Sequence, residues 1–297
     1  ASVNAECRKR PTVIREDPIY LAGDSFTWGY APYEVKFGTL LELALNTPVL
    51  KCGVTHSGQR HQFAKFKEIT ESLGRFPRLV VINYVNNDVA NDYAYPHSTV
   101  VEGWLVDKVV LGESQELVRI HEDTLRSEIK KRLEAGSNFR YFVRAHSFSY
   151  NVLAGIYRKI KSAILDAWLG PVKPLANIYE LTVGSGDIYS YDNQYAQPNK
   201  EVLVQWLAHA KRHNYSLIVS LISSRQHVTK NFYHEVEQFL REEGMDFVNF
   251  TDYIAQHKLR PDDIYWTHDG HFNINGNREY ANFLSPVVQE ALLRKLP

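Results

Sequence analysis

The run "LVVINYV", residues 79–85, decides the fold. It is apolar at nearly every position instead of alternating. A strand of that kind is buried on both faces, as in a parallel sheet covered by helices on each side. Four further short runs bounded by turn residues read as its partners. They are "PIYLAG" (18–23), "PVLKCGV" (48–54), "SLIVSLI" (216–222) and "DFVNF" (246–250). Helical periods lie around and between them. Residues 33–46 place Phe37, Leu40, Leu41 and Ala44 on one face, and 62–74 place Phe63, Phe66, Ile69 and Leu73, with Gly74 as terminator. Residues 199–213 turn Leu203, Trp206, Leu207 and Ala210 inward. Residues 230–243 end at Gly244, and 275–294 form a last helix that Pro286 is expected to kink or divide. Strand–helix alternation of this kind predicts an α/β fold, a doubly wound, parallel, five-stranded sheet in three α/β/α layers.

Residues 97–196 interrupt the alternation. Stretches 113–135 and 139–168 read as helical and 170–196 as loop. The expectation is one domain over 1–297, carrying a mostly helical insertion at 97–196 after the third strand.

Composition narrows the partners. Lys+Arg and Asp+Glu both number 34, for a formal net charge of zero. No basic surplus points to nucleic acid or to an anionic membrane. No run of 18 apolar residues suggests a bilayer span. Cys7 and Cys52 allow one disulfide at most, and their spacing is not that of a metal site. Asn214 and Asn249 each open an N-glycosylation triplet, at a number chance alone supplies. The chain begins at Ala1 and its only methionine is Met245, so the expectation is that the initiator methionine is missing, through either cleavage of an N-terminal segment or trimming of the sequence.

In a doubly wound sheet, ligands bind outside the carboxyl ends of the strands, where strand order reverses. Ser25 follows the first strand, Gly58 the second, and Asn87 and Asp88 the third. "WTHDGHFNINGN" (266–277) lies between the last strand and the last helix. Topology alone brings these four polar loops to one rim. Their chemistry is nucleophilic. A serine hydroxyl needs a neighbouring base, and His271 can supply it. Asp269, two residues earlier, can hold the imidazole in the right tautomer. The backbone N–H groups of Ser25 and Gly58 and the amide of Asn87 are the natural donors to an oxyanion. Each residue also has a plainer reading as a turn or helix cap.

"GDSFTWG" (23–29), "NND" (86–88) and "DGHFNINGN" (269–277) resemble the first, third and last sequence blocks of the SGNH hydrolases, the GDSL-like lipases and esterases. The pattern is most similar to branches associated with polysaccharide O-acetylation and deacetylation. Val85 stands where the family usually has glycine, and Lys51 where it usually has asparagine. Asp269 precedes His271 by two residues, where many members have three. The resemblance implies a flavodoxin-like sheet and an enzyme without cofactor or metal. It implies Ser25 as nucleophile, His271 as base, Asp269 as orienting acid, and Gly58 or Gly53 with Asn87 in the oxyanion hole. It also favours a periplasmic or secreted location.

Trp28, Tyr30, Tyr33, Tyr93, Tyr95 and Trp104 crowd the predicted rim. Aromatic faces stack on sugars and also fill apolar pockets; Trp28, Tyr30, Tyr93 and Tyr95 are the candidate substrate rim. The expected activity is hydrolysis of O-acyl esters, above all O-acetyl, on a small molecule or a polysaccharide. Two alternatives share the fold: an O-acetyltransferase to a glycan hydroxyl, and a non-catalytic glycan-binding module. A metallohydrolase built on His268, Asp269 and His271 is disfavoured, because three ligands within four residues converge poorly on one ion.

Overall fold

The computed structural model of the chain describes residues 18–101, 104–107, 109–111, 117–119, 123–124, 126–127, 190–225, 227–228, 233–267 and 269–294. In chain order the elements are β1 (Ile19–Gly23), α1 (Ser25–Trp28), α2 (Phe37–Leu45), β2 (Val49–Lys51), α3 (Gln59–Leu73), β3 (Leu79–Val85) and α4 (Asp88–Ala94). Four short strands follow: β4 (Ser98–Val101), β5 (Trp104–Asp107), β6 (Val109–Leu111) and β7 (Leu117–Arg119). After them come α5 (Gln197–His213), β8 (Ser216–Ile222), α6 (His234–Glu242), β9 (Asp246–Asn249), α7 (Phe250–Gln256), α8 (Pro261–Ile264) and α9 (Ile274–Leu293). Contacts divide the chain into two compact units, 1–96 with 187–297, and 97–186.

The first unit holds a five-stranded sheet in the order β2-β1-β3-β8-β9, with every pairing parallel. β3 is central and all seven of its residues are buried, as its unbroken apolar run requires. Alternate strand residues feed two separate cores, following the period of two. Tyr20, Ala22, Val80, Ile82 and Tyr84 face α3, α5 and α6, meeting Phe66, Trp206 and Leu240. Ile19, Leu21, Leu79, Val81 and Val85 face α2, α7 and α9, meeting Phe37, Leu41, Phe250, Tyr280 and Leu284. These two cores are the middle interfaces of a three-layer, doubly wound α/β sandwich. From β1 the chain moves to one side for β2 and then crosses to the other for β3. The strand order therefore reverses at β1 and β3, so a cleft opens between their carboxyl ends.

Several boundaries differ from the sequence reading. Residues 33–46 are not one helix: a 3₁₀ turn over Tyr33–Val35 comes first, and extended backbone at Lys36 delays α2 to Phe37. Ala44 is exposed, because α2 turns Phe37 and Leu41 to the core instead. α3 begins three residues earlier than its apolar period, at Gln59, and Leu73 is largely exposed at its end. Gly74 and Gly244 both take positive φ, as expected of terminators. Phe250 opens α7 instead of closing β9, since the Asn249 side chain caps that helix by accepting from Thr251 N–H. The same asparagine donates to Glu237 and is nearly buried, so it is no glycan acceptor in this fold. Pro286 lies inside α9 and does not divide it. Leu284 and Val288, buried on either side, hold the helix against the sheet across the missing hydrogen bond.

In the second unit the described residues form two antiparallel pairs, β4 with β5 and β6 with β7. Leu117–Arg119 is thus a strand where helix was expected from 113. The β-branched, alternating "LVR" pairs with "VVL" at 109–111. Residues 139–168, read as helical, lie outside the described residues.

Candidate active site

Ser25 sits two residues beyond the end of β1, at the first position of α1. Gly23 makes the turn possible. Its φ is +154°, and a Cβ there would stand 2.0 Å from Thr27 Oγ1. Asp24 caps α1, its Oδ1 accepting from Phe26 N–H at 2.9 Å. The plain turn reading of Gly23-Asp24-Ser25 is therefore correct, and it is also what presents Ser25 at the sheet edge.

His271 reaches the same point from far along the chain. Residues 265–272 form a small hairpin: Tyr265 bridges Phe272, and Trp266 N–H donates to His271 C=O at 3.0 Å. Phe272 is buried against Phe26 and Phe250. Asn273 caps α9 by accepting from Gly276 N–H. With both ends fixed, His271 Nε2 lies 2.7 Å from Ser25 Oγ. Its Nδ1 and its backbone N–H both bond to a single oxygen, Asp269 Oδ1. Phe26 and Tyr30 flank the imidazole, with ring centroids 4.8 and 4.6 Å away. Burial works to raise the Asp269 carboxyl, but the His271 hydrogen bonds outweigh it and hold it below the usual range.

Asn87 caps α4 by position, yet its side chain makes no capping bond. The amide donates instead to Asp24 Oδ2 at 3.2 Å. That bond spans the cleft between β1 and β3 and brings Asn87 beside the nucleophile loop.

Gly58 stands at the amino end of α3, where it has no side chain to cap the helix. Asp92 of α4 does that work from outside: its Oδ1 accepts from Arg60 N–H at 2.7 Å. A Cβ on Gly58 would stand 2.3 Å from that Asp92 oxygen and 2.7 Å from Asp92 N. Glycine is needed here because α4 lies directly on the start of α3. Gly53 is tight for a different reason, since its Cβ would meet the backbone of Thr27 and Trp28.

Several polar groups around the site look like ordinary turn residues in the sequence. Asp24, Asp88 and Asp92 are all buried beneath the rim. Burial pushes the Asp24 carboxyl up, opposed by its three hydrogen bonds and the nearby imidazole. Asp88 is pushed up further by burial and by Asp24 and Asp92, although Gln59 and Val85 N–H donate to it. Asp92 accepts from Asn199 at 2.6 Å, and burial raises it to about 7. Arg225, just after β8, ties the His271 loop down: its guanidinium bonds Thr267 C=O and the Asp262 carboxylate, and its N–H donates to Gly270 C=O.

The raised Asp92 makes a stability prediction. An unfolded carboxyl titrates near 3.9. Between about pH 4 and 7 the folded chain keeps a proton that the unfolded chain has lost, so this group's contribution to stability falls as pH rises through that window. His61, lowered to about 4 mainly by burial, acts oppositely over much of the same range. Comparing Asp92→Asn with the parent isolates the one group. The variant's thermal midpoint, relative to the parent's, is expected to rise steadily from pH 4.5 to 7.5. A difference that stays constant across that range would show that Asp92 does not titrate there.

Of the predicted aromatics, Tyr30 contacts His271 and Trp28 contacts Tyr30. Tyr93 packs on Tyr195, and Tyr95 on Arg60 and His61. Cys52 is disulfide-bonded, and Cys7 lies outside the described residues. Among the described residues no three His, Cys, Asp or Glu groups cluster as metal ligands, and no helix is long and apolar enough to cross a membrane. His268 lies outside the described residues.

No family model matches the chain, and no curated protein matches it. Among solved structures it is similar to the acetyl xylan esterase AlAXEase, with 11% identity, a TM-score of 0.45, and coverage of 91% of this chain and 99% of that one. It is also similar to Axe2, an acetylxylan esterase from Geobacillus stearothermophilus (12%, TM-score 0.44, 90% and 92%). A third is AlinE4, an SGNH-hydrolase family esterase (14%, TM-score 0.41, 93% and 97%). Likeness at this level assigns no activity and no residue roles to the present chain.

Proposed function

We propose that the chain is an SGNH-type serine esterase that hydrolyses O-acyl esters, chiefly O-acetyl esters on a carbohydrate. The observation that carries this reading is the continuous relay Ser25 Oγ, His271 Nε2, His271 Nδ1, Asp269 Oδ1, assembled from loops 246 residues apart. In the proposed reaction Ser25 Oγ attacks the ester carbonyl while His271 takes its proton. The oxyanion is held by the N–H of Ser25, the N–H of Gly58 and the amide of Asn87. As first and capping residues of helices, Ser25 and Gly58 have N–H groups without intrahelical acceptors. His271 then protonates the leaving alcohol, and water, activated by the same imidazole, frees the acyl group from Ser25. Asp269 keeps the imidazole oriented throughout.

The carbohydrate assignment rests on the sequence blocks and on Tyr30, 42% exposed, its ring tilted against His271 and meeting Trp28 edge to face. An exposed aromatic face next to the reacting atoms suits a sugar ring. An O-acetyltransferase would use the same groups with a sugar hydroxyl in place of water. A fluorophosphonate probe followed by peptide mapping tests the core of the proposal. Stoichiometric label on Ser25, lost in His271→Ala, is the expected result. Absence of label on the parent protein would leave a glycan-binding module as the better reading.

A further inference from the structure

Asp24 is surrounded by donors. Its Oδ1 takes Phe26 N–H at 2.9 Å, and its Oδ2 takes the Asn87 amide at 3.2 Å and lies 3.3 Å from Ser25 Oγ. The residue is 1% exposed, so none of these bonds competes with bulk water. Ser25 has one hydroxyl proton, and His271 Nε2 at 2.7 Å is the nearer acceptor. The bond to Asn87 has a different consequence. A side-chain amide has two N–H groups, and its oxygen and nitrogen are interchangeable by a half-turn. Left alone, Asn87 could equally present its carbonyl to the reacting centre, where an oxygen would repel the oxyanion. An acceptor fixed at Asp24 Oδ2 admits only the nitrogen.

We propose that Asp24 is a positioning residue that locks Asn87 by one N–H, in the flip state that leaves the other N–H for the developing oxyanion. The inference rests on the esterase reading above. It predicts what an amide at position 24 would do. In Asp24→Asn the new oxygen stays on Phe26 N–H, so its nitrogen faces the nitrogen of Asn87. Two donors then oppose each other, and Asn87 must turn over or move away.

The test measures kcat and KM on 4-nitrophenyl acetate, together with thermal midpoints, for five proteins: Asp24→Asn, Asn87→Ala, their double variant, the swap Asp24→Asn/Asn87→Asp, and Ser25→Ala. Losing one oxyanion donor typically costs 10²–10³ in rate. Asp24→Asn is expected to lower kcat by about that factor with KM within about twofold, and Asn87→Ala to match it. The double variant should be no slower than Asn87→Ala, because both act through one amide. The swap restores a hydrogen bond between the loops, from the position-24 amide to a carboxylate at 87. It should recover the thermal midpoint but not kcat, since a carboxylate has no N–H to offer. Recovery of kcat in the swap, or multiplying losses in the double variant, would reduce Asp24 to a structural tie and overturn the inference. Should Asp24→Asn prove too unstable to assay, the double variant, which lacks the opposing Asn87 amide, decides: a rate below that of Asn87→Ala overturns the inference. Full activity in Ser25→Ala would instead remove the esterase reading itself.

Discussion

Ser25→Ala is expected to lower kcat/KM on an activated acetyl ester by roughly 10⁴–10⁶, and His271→Ala by about as much. The two groups share one proton across 2.7 Å. Without His271 the hydroxyl has no base; without Ser25 the base has nothing to activate. The double variant should therefore be no slower than either single one, because groups that act as a unit do not contribute separately. Residual rate above background would come from binding and the oxyanion donors. Neither change should unfold the chain. Ser25 carries one oxygen at the rim, and α1 remains capped by Asp24. His271 is held through its backbone and through Phe272, both of which survive its truncation. The check is a steady-state assay alongside a thermal melt. A loss under tenfold with an unchanged melt would remove Ser25 from the nucleophile's role.

The sheet was legible because its strands obey simple patterns. "LVVINYV" is apolar at nearly every position since both its faces meet helices, and "SLIVSLI" is mostly so. From strand order alone the nucleophile loop, Asn87 and the His271 loop fall on one rim. The hairpin that carries His271 was not legible. It depends on the Tyr265–Phe272 bridge and on two short helices, α7 and α8, whose apolar residues are too few to show a period. Nor were the buried acids. Asp24, Asp88 and Asp92 look like surface turn residues in sequence, and only the approach of α4 to α3 and β1 reveals what each one bonds. The glycine at 58 shows the same limit. Sequence marks a place for close backbone approach, while the structure identifies what approaches as Asp92. The short strand β7 fell inside the stretch read as helical from 113, and a three-residue strand carries too little pattern to outweigh it.

Asp269→Ala is expected to slow the reaction by about 10³–10⁴, less than loss of Ser25 or His271. The acid makes no bond to substrate; it fixes the ring. Nδ1 must carry its proton toward Asp269 so that Nε2 is bare toward Ser25, and alanine leaves the ring free to rotate and to take the other tautomer. Asparagine at 269 separates two parts of this role. Both His271 donors, the Nδ1–H and the backbone N–H, converge on the one oxygen Oδ1. An amide can keep that oxygen in place with its nitrogen turned to the solvent side, where the carboxylate is already 46% exposed. Tautomer and ring orientation would then survive, and only the negative charge opposite the imidazolium would be lost. Solvent screens that charge at such exposure. Asp269→Asn should therefore be faster than Asp269→Ala by about tenfold or more, a smaller loss than the 10⁴ seen where an amide enforces the wrong tautomer. The lowered Asp269 carboxyl is ionised wherever a neutral imidazole is present, so the ranking should hold across neutral pH. Steady-state kinetics of the two variants at pH 7 and 8 measure it. Equal rates would mean that charge, not the shared oxygen, carries the effect. A loss below tenfold in Asp269→Ala would mean that Arg225 and the hairpin already fix the ring, and that the acid of the triad is not at 269.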